Sequence, residues 1–120
     1  MQGGLLTVQP ETTVYEAMCL LVDHHLTGLP VVDEGMQLAG VITETDLLRR
    51  AITLRSAETV VEPFMTRAVV SVDRKTSLEE VCQHLMENDF HHLPVLEGNR
   101  LVGVITRSDV LKRRMPIFRV

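Results

Sequence analysis

Two threonine–aspartate pairs are the residues of this sequence best suited to chemistry. Asp46 follows Thr43 by three residues, and Asp109 follows Thr106 at the same spacing. An ionised carboxylate only accepts hydrogen bonds, so one such group can take the protons of two neighbouring hydroxyls, as in a sugar diol. The threonine hydroxyls, with N–H groups at a helix start, could hold an anionic group nearby. Thr-x-x-Asp also suits a helix capping box, with Asp in place of the usual Glu, and both interpretations stay open.

The two pairs lie in segments that occur twice in the chain. Residues 38–48 read Leu-Ala-Gly-Val-Ile-Thr-Glu-Thr-Asp-Leu-Leu, and residues 101–111 read Leu-Val-Gly-Val-Ile-Thr-Arg-Ser-Asp-Val-Leu. Upstream of each, a Leu-Pro-Val run occurs at 29–31 and again at 93–95. Similarity at a fixed interval indicates two copies of one structural unit.

Each copy predicts the same succession of elements. Helical spacing of apolar residues favours a first helix, preceded by a capping-box pattern, Thr13 with Glu16 and Ser77 with Glu80. Runs of β-branched residues separated by turn residues favour a pair of strands. The predicted ranges are an opening strand near 5–8 or 69–72, a helix near 13–25 or 77–89, strands at 29–33 and 38–43 or at 93–96 and 101–106, and a closing helix at 44–52 or 107–114. A unit of about 60 residues is marginally stable alone, so the copies should pack by pseudo-twofold symmetry into one core.

Composition narrows the class of protein. With 45% hydrophobic but only 3% aromatic residues, the core must be aliphatic. A net charge of −4 argues against a nucleic-acid surface, which needs a basic face. Apolar runs are too short to span a membrane and no signal peptide is visible, so no membrane insertion is expected. Cys19 and Cys82 are expected to be buried, reduced thiols, which together with these absences points to the cytoplasm.

The segments 40–46 and 103–109 resemble the Gly-h-h-Thr-x-x-Asp signature of cystathionine β-synthase (CBS) domains, where h is hydrophobic. The preceding Leu-Pro-Val strands are similar to that family too, as is Pro63-Phe64-Met65-Thr66, the usual approach to a repeat's first strand. The resemblance covers nearly the whole chain. It implies an α/β fold of two β-α-β-β-α repeats with small mixed sheets related by pseudo-twofold symmetry. The expected division is 1–52 for repeat 1 and 53–120 for the connector and repeat 2, together one Bateman module.

Two departures from the family pattern are visible. Met1-Gln2-Gly3-Gly4 takes the place of the Pro-x-Met-Thr approach in the first repeat. His91-His92 and Thr27-Gly28 occupy positions where many members of the family carry an Arg before the Leu-Pro. Any ligand contact from residues 1–4 is therefore open.

The resemblance implies regulation rather than catalysis. Such modules bind adenosine-containing ligands and control a host domain or partner, so we expect an adenine nucleotide of AMP, ADP or ATP type as regulatory ligand, no catalytic cofactor and no enzyme activity. Pairing with a second copy into a homodimer is also expected. The alternative is a ligand-free structural dimerisation module. The sequence does not name the nucleotide, the number of occupied clefts or the regulated partner, nor does it say whether the chain is part of a longer protein.

Two clefts follow from the resemblance, one at each aspartate. Besides Asp46, the first is expected to use Thr43, Thr45, Thr66, Ala68, Val69, His91, His92, Leu93 and Pro94. Besides Asp109, the second is expected to use Gly4, Leu5, Thr27, Gly28, Leu29, Pro30, Thr106, Arg107 and Ser108. Because Glu44 stands where the second repeat has Arg107, we expect the Asp109 cleft to respond more to phosphate charge and the Asp46 cleft to suit adenosine better. The adjacent histidine pairs 24–25 and 91–92 lack the i, i+4 spacing of a helical metal site, so no metal is expected.

Overall fold

The computed structural model of the chain describes residues 5–51, 58–87 and 92–111. The elements are α1 (Val14–Asp23), β1 (Gly28–Val32), β2 (Leu38–Thr43), α2 (Glu44–Asp46), a π-helix (Leu47–Ala51), a 3-10 helix (Glu62–Phe64), α3 (Leu78–Glu87), β3 (His92–Glu97) and β4 (Arg100–Thr106). Residues 107–111 are helical as well. The helix–hairpin–helix order therefore occurs twice, which confirms the predicted mixed α/β fold.

Each repeat is built on one antiparallel hairpin, β1 with β2 and β3 with β4. The registers match: Gly28 faces Thr43 in the first hairpin and His92 faces Thr106 in the second. Both hairpins also carry a bulge at the same place, after Val31 and after Val95. Matched sequence thus produces matched strand pairing.

The predicted opening strands are shorter than expected. In each repeat one residue forms a single parallel bridge to the hairpin, Val8 to Val31 and Val72 to Val95. Val8 donates to the Pro30 carbonyl at 3.0 Å and accepts from the Val32 N–H at 2.8 Å. The chain then turns at once, because the Thr12 N–H bonds back to the Gln9 carbonyl at 2.9 Å. The sheets are therefore two-stranded and antiparallel, and the parallel pairing expected of a mixed sheet is reduced to one isolated bridge in each repeat.

The predicted caps of the first helix in each repeat are present, but the closing helix of the first repeat differs from its predicted form. The full Thr13–Glu16 capping box is present at the start of α1, and the Glu80 N–H donates to Ser77 Oγ at 3.2 Å before α3. The single α-helix predicted over 44–52 is wrong in its second part, since α2 widens into the π-helix after Asp46. None of the helices in the described ranges has the length and apolarity to cross a bilayer.

The core is aliphatic, as the composition predicts, and it consists of two clusters. The first includes Leu29, Val31 and Ile42, each at most 1% exposed, and it incorporates Val61 and Met65 from the connector. Among the described residues, the buried members of the second cluster are Val72, Val81, Leu85, Leu93 and Val110. Cys19 and Cys82 are unbridged and half-buried rather than fully buried.

The connector packs on repeat 1. The Val61 N–H donates to the Thr12 carbonyl at 2.9 Å, and Thr66 exchanges two backbone hydrogen bonds with Val41, at 2.9 and 2.8 Å. Gly40 lies directly beneath this crossing. A Cβ atom there would stand 2.6 Å from the Thr66 carbonyl oxygen and 3.2 Å from Met65 Sδ, so the close approach requires glycine.

The two hairpins meet at equivalent turns. The Leu38 N–H donates to the Asn99 carbonyl at 3.0 Å, and the Leu101 N–H donates to the Met36 carbonyl at 2.8 Å. These two bonds exchange if every residue is replaced by its counterpart 63 positions along. The contact is therefore pseudo-twofold, with the bridge between Gln37 and Arg100 at its centre.

Candidate ligand-binding cleft

A cleft of about 510 Å³ lies between the two repeats, at the ends of the hairpins opposite this contact. Its volume is within the range of small-molecule sites. Both repeats contribute to its lining, which consists of Thr27, Gly28, Leu29, Pro30, Val41, Thr43, Glu44, Thr45, Asp46, Thr66, Val69, Glu87, His92, Pro94 and Val104.

Asp46 is the half-buried carboxylate of this cleft, and it is held by two threonines. Its Oδ2 accepts from the Thr43 N–H at 3.0 Å and from Thr43 Oγ1 at 2.9 Å. Thr66 Oγ1 donates to Oδ1 at 3.3 Å and lies 3.4 Å from Oδ2. An ionised carboxylate has about four acceptor sites, so Oδ1 retains room for a further donor from a ligand. The capping role and a ligand role are therefore compatible at Asp46.

The helix start itself is already engaged. The Asp46 N–H donates to Thr43 Oγ1 at 3.1 Å, which completes the capping box, and the Glu44 N–H donates to the Thr27 carbonyl at 2.9 Å. These bonds occupy the N–H groups of Glu44 and Asp46, which belong to the helix start that the sequence suggested as a place for an anionic group. The capping interpretation of Thr43 and Asp46 is thus directly observed.

Cross-strand pairs give each repeat an apolar face toward the cleft. Pro30 is opposite Val41 in the first hairpin, and Pro94 is opposite Val104 in the second. All four line the cleft. Where β1 and β3 begin, Thr27 Oγ1 lies 3.4 Å from His92 Nδ1, a polar contact between the repeats. Apolar walls with a few fixed polar groups are the usual make-up of a small-molecule site.

The second Thr-x-x-Asp pair forms the same box in a more open place. The Thr106 N–H donates to Asp109 Oδ2 at 2.9 Å, and the Asp109 N–H donates to Thr106 Oγ1 at 3.1 Å. Asp109 is exposed, whereas Asp46 is half-buried. Arg107 extends away from its box, since its Nη2 donates to the Leu85 carbonyl of α3 at 3.0 Å.

The structure brings together more than half of the residues predicted as ligand contacts. The Asp46 group is represented by Thr43, Thr45, Asp46, Thr66, Val69, His92 and Pro94. Residues 27–30, expected at the Asp109 cleft, line this same cleft instead. The other described members do not line it: Leu5, Ala68, Leu93, Thr106, Arg107, Ser108 and Asp109. Gly4 and His91 lie outside the described residues, and a second cleft at Asp109 stays a prediction.

Four lining residues were not among the predicted contacts, and one of them, Glu44, had been singled out only for its charge. Val41 and Val104 could have been found from strand alternation, because each is two residues before a threonine already singled out and shares its face. Glu87, at the end of α3, carried no such signal, since its position depends on how the helix packs. Over the described ranges, no three His, Cys, Asp or Glu side chains form a group that could hold a metal ion.

Comparison with known proteins decides the family. A family model for the CBS domain matches residues 1–53 and 60–116. The chain belongs to the CBS domain family. The two matched segments agree with the two structural copies, so the protein carries a tandem CBS pair.

The relatives include CBS proteins from a plant and a bacterium and an archaeal enzyme. The chloroplastic protein CBSX1 of Arabidopsis thaliana is 33% identical over 96% of this chain and 61% of its own length. The protein YhcV of Bacillus subtilis is 33% identical over 96% of this chain and 82% of its own. Inosine-5'-monophosphate dehydrogenase of Methanocaldococcus jannaschii is 37% identical over 92% of this chain but only 22% of the enzyme. The chain thus spans about three fifths of the plant relative and about a fifth of the enzyme.

Solved structures support the same family and fold. A crystal structure of the CBS-pair protein CBSX2 from Arabidopsis thaliana superposes with a TM-score of 0.84 at 34% identity, covering 97% of this chain and 89% of that one. A second crystal structure, of CBSX2 in complex with AMP, superposes with a TM-score of 0.81 at 35% identity, covering 96% and 90%.

Proposed function

We propose that the protein is a regulatory module, without catalytic activity, that binds an adenine nucleotide in the cleft between its CBS repeats. The observation that carries the proposal is the half-buried Asp46 carboxylate, which faces a cleft of about 510 Å³ lined by both repeats. A CBS-pair neighbour crystallised with AMP supports the ligand class. A cleft whose aspartate is hydrogen-bonded to threonines, rather than to a second carboxylate or a base, supports binding over catalysis.

The chemistry of the lining suits an adenosine group. The 2′ and 3′ hydroxyls of a ribose would donate to Asp46, where Oδ1 has acceptor capacity beyond its bond from Thr66. The paired walls of proline and valine offer apolar surface to a purine ring. Charge-assisted hydrogen bonds from hydroxyls to a carboxylate contribute roughly 1.5–3 kcal/mol each.

Regulation requires that the ligand bind two states of the module with different affinity. A ligand between the repeats would contact residues 27–30 on one side and His92 and Pro94 on the other. It would also meet Thr66, through which the connector pairs with β2. Closing or opening of the two hairpins, and movement of the connector, would then transmit binding to a host domain or partner.

Calorimetry with AMP on matched variants tests this function. Asp46→Asn keeps the shape of the side chain but removes the negative charge, so affinity should fall roughly ten- to a hundredfold. Asp109→Asn alters the same capping box outside the cleft and serves as the control, with affinity at the Asp46 cleft unchanged. Equal losses in the two variants, or no binding of AMP, ADP, ATP or S-adenosylmethionine by the unaltered protein, would contradict the proposal.

A ligand-free dimerisation module is the second candidate, and one observation favours it. Tyr15, Met18 and Val22 are 62%, 44% and 71% exposed and lie along one face of α1. An exposed apolar stripe suits a partner surface, and we propose a second copy of the chain as its occupant. Sedimentation at micromolar concentration should then give twice the 13.5 kDa mass of one chain. Val22→Glu should return the protein to monomer, whereas a monomer before substitution would refute the pairing.

We infer a cytoplasmic setting from the two unbridged cysteines. To test this, a thiol reagent is added to freshly extracted protein without a reductant. Both cysteines should react with it if they are reduced in the cell. The relative CBSX1, by contrast, is chloroplastic, so a cytoplasmic location would distinguish this protein from that relative.

A further inference from the structure

The charged side chains that line the cleft are mainly acidic. Three carboxylates line it, those of Glu44, Asp46 and Glu87, together with the imidazole of His92. Of the described lining residues none is a lysine or an arginine. The lining is thus apolar and acidic, which is an unusual environment for a polyphosphate.

The two acidic residues beyond Asp46 come from different repeats. Glu44 directly follows β2, and Glu87 is the last residue of α3, where Gln83 Nε2 donates to its Oε2 at 3.2 Å. Both are exposed, which places them at the rim of the cleft, and Asp46 lies deeper. A ligand whose ribose reached Asp46 would therefore carry its 5′ substituent past carboxylates.

Three described arginines lie within three residues of a lining residue. Two of them are engaged elsewhere, whereas the third, Arg49, is exposed and does not line the cleft. Arg67 Nη2 is 3.3 Å from Glu62 Oε2 on the surface of the connector. Arg107 donates to the Leu85 carbonyl. Neither lines the cleft, so neither offsets the carboxylates there.

We propose that this cleft selects adenosine ligands whose 5′ substituent carries little or no negative charge, or a positive one, over nucleoside di- and triphosphates. The proposal rests on the proposed function of the same cleft and narrows its ligand class. Adenosine provides the neutral member of this class, and S-adenosylmethionine provides a cationic one through its sulfonium. AMP, whose phosphate carries about 1.5 to 2 negative charges at neutral pH, is the least charged nucleotide against which ADP and ATP are compared.

Calorimetry with adenosine, AMP, ADP, ATP and S-adenosylmethionine, without magnesium and at low salt, is the test. We expect ATP to bind at least about tenfold more weakly than AMP, because like charges oppose each other across partly exposed sites. S-adenosylmethionine should bind at least as tightly as AMP. The ATP penalty should shrink at 0.5 M salt or with magnesium, because both screen or neutralise the phosphates.

Charge variants separate repulsion from a simple size limit. Glu44→Gln with Glu87→Gln should reduce the ATP-to-AMP difference several-fold and weaken S-adenosylmethionine. Glu79→Gln, on the first turn of the same helix α3 but outside the cleft, should leave the whole series unchanged. Affinity that rises with phosphate number, or an ATP penalty that the Glu44/Glu87 variant does not alter, would overturn the inference. If no adenosine ligand binds at all, the proposed function fails instead.

Discussion

The two repeats share one hairpin register and one Thr-x-x-Asp box, yet they differ in what covers them. Ile42 in β2 is fully buried, whereas its counterpart Ile105 in β4 is only half-buried. Val61 and Met65 of the connector join the first core cluster, and no comparable segment joins the second among the described residues. Local sequence therefore determines the hairpins, while burial depends on a segment that packs from elsewhere in the chain.

The largest expected difference in the free energy of unfolding is between alanine substitutions of these two matched isoleucines. Ile42→Ala should lower the free energy of unfolding by about 4 kcal/mol, because it empties a fully buried site. Ile105→Ala should cost about 2 kcal/mol, since its side chain keeps some contact with water. Urea denaturation of both variants measures the difference. If Ile42→Ala does not fold, the valine variants repeat the comparison at a smaller scale, and equal losses would show that burial does not distinguish the repeats.

The next difference concerns the matched glycines. An alanine at Gly40 would meet the Thr66 carbonyl oxygen at 2.6 Å, a backbone atom, so Gly40→Ala should cost about 1–3 kcal/mol. At Gly103 the nearest described atom to such a Cβ is Val95 Cβ at 3.8 Å, so Gly103→Ala should stay within about 0.5 kcal/mol. Thermal unfolding of the two variants provides the measurement. If Gly40→Ala has no effect on stability, the connector does not pack as closely against β2 as the structure indicates.

The structural features that occur in both repeats could be predicted from the sequence, whereas contacts that occur only once could not. The hairpins, their helices and the Thr13–Glu16 cap could be predicted because spacing and capping are local properties. The duplicated motif also singled out Asp46, which the structure places in the cleft. Residues 27–30, predicted for the Asp109 cleft, line the Asp46 cleft, because which aspartate they approach depends on how the repeats pack around the pseudo-twofold axis. Glu87 and the crossing of Thr66 over Gly40 were missed for the same reason, since both are tertiary contacts without a periodic signal.

Among the described residues, Asp46 and Asp109 differ in whether the connector contacts their capping box. Thr66 gives Asp46 a partner from the connector, in addition to its own capping box. A double-mutant cycle of Thr66→Val with Asp46→Asn should therefore show a coupling of about 1 kcal/mol. The same cycle with Asp109→Asn should be additive and serves as the control. Coupling of equal size in both cycles would remove the distinction between the two boxes.

The smallest expected effect on stability concerns the caps of the two long helices, α1 and α3. At the start of α1, the Thr13 N–H and Oγ1 donate to Glu16 Oε1 at 3.2 and 2.9 Å, and these bonds, the backbone one foremost, lower the pKa of Glu16 below its ordinary value. Before α3, Glu80 instead turns its carboxylate toward His84, with Oε2 3.6 Å from Nε2.

Because the pKa of Glu16 is lower in the folded than in the unfolded chain, its contribution to stability is present above the unfolded pKa and is lost as pH falls through the folded one. Glu16→Gln should thus lower Tm slightly at neutral pH and by less at about pH 2.5, below the usual range for carboxyl groups. Thr13→Val removes the hydroxyl donor to the carboxylate, so adding Glu16→Gln to it should have a smaller pH-dependent effect. A Tm difference between wild type and Glu16→Gln that stays constant with pH would show that the capping bonds do not favour the ionised carboxylate.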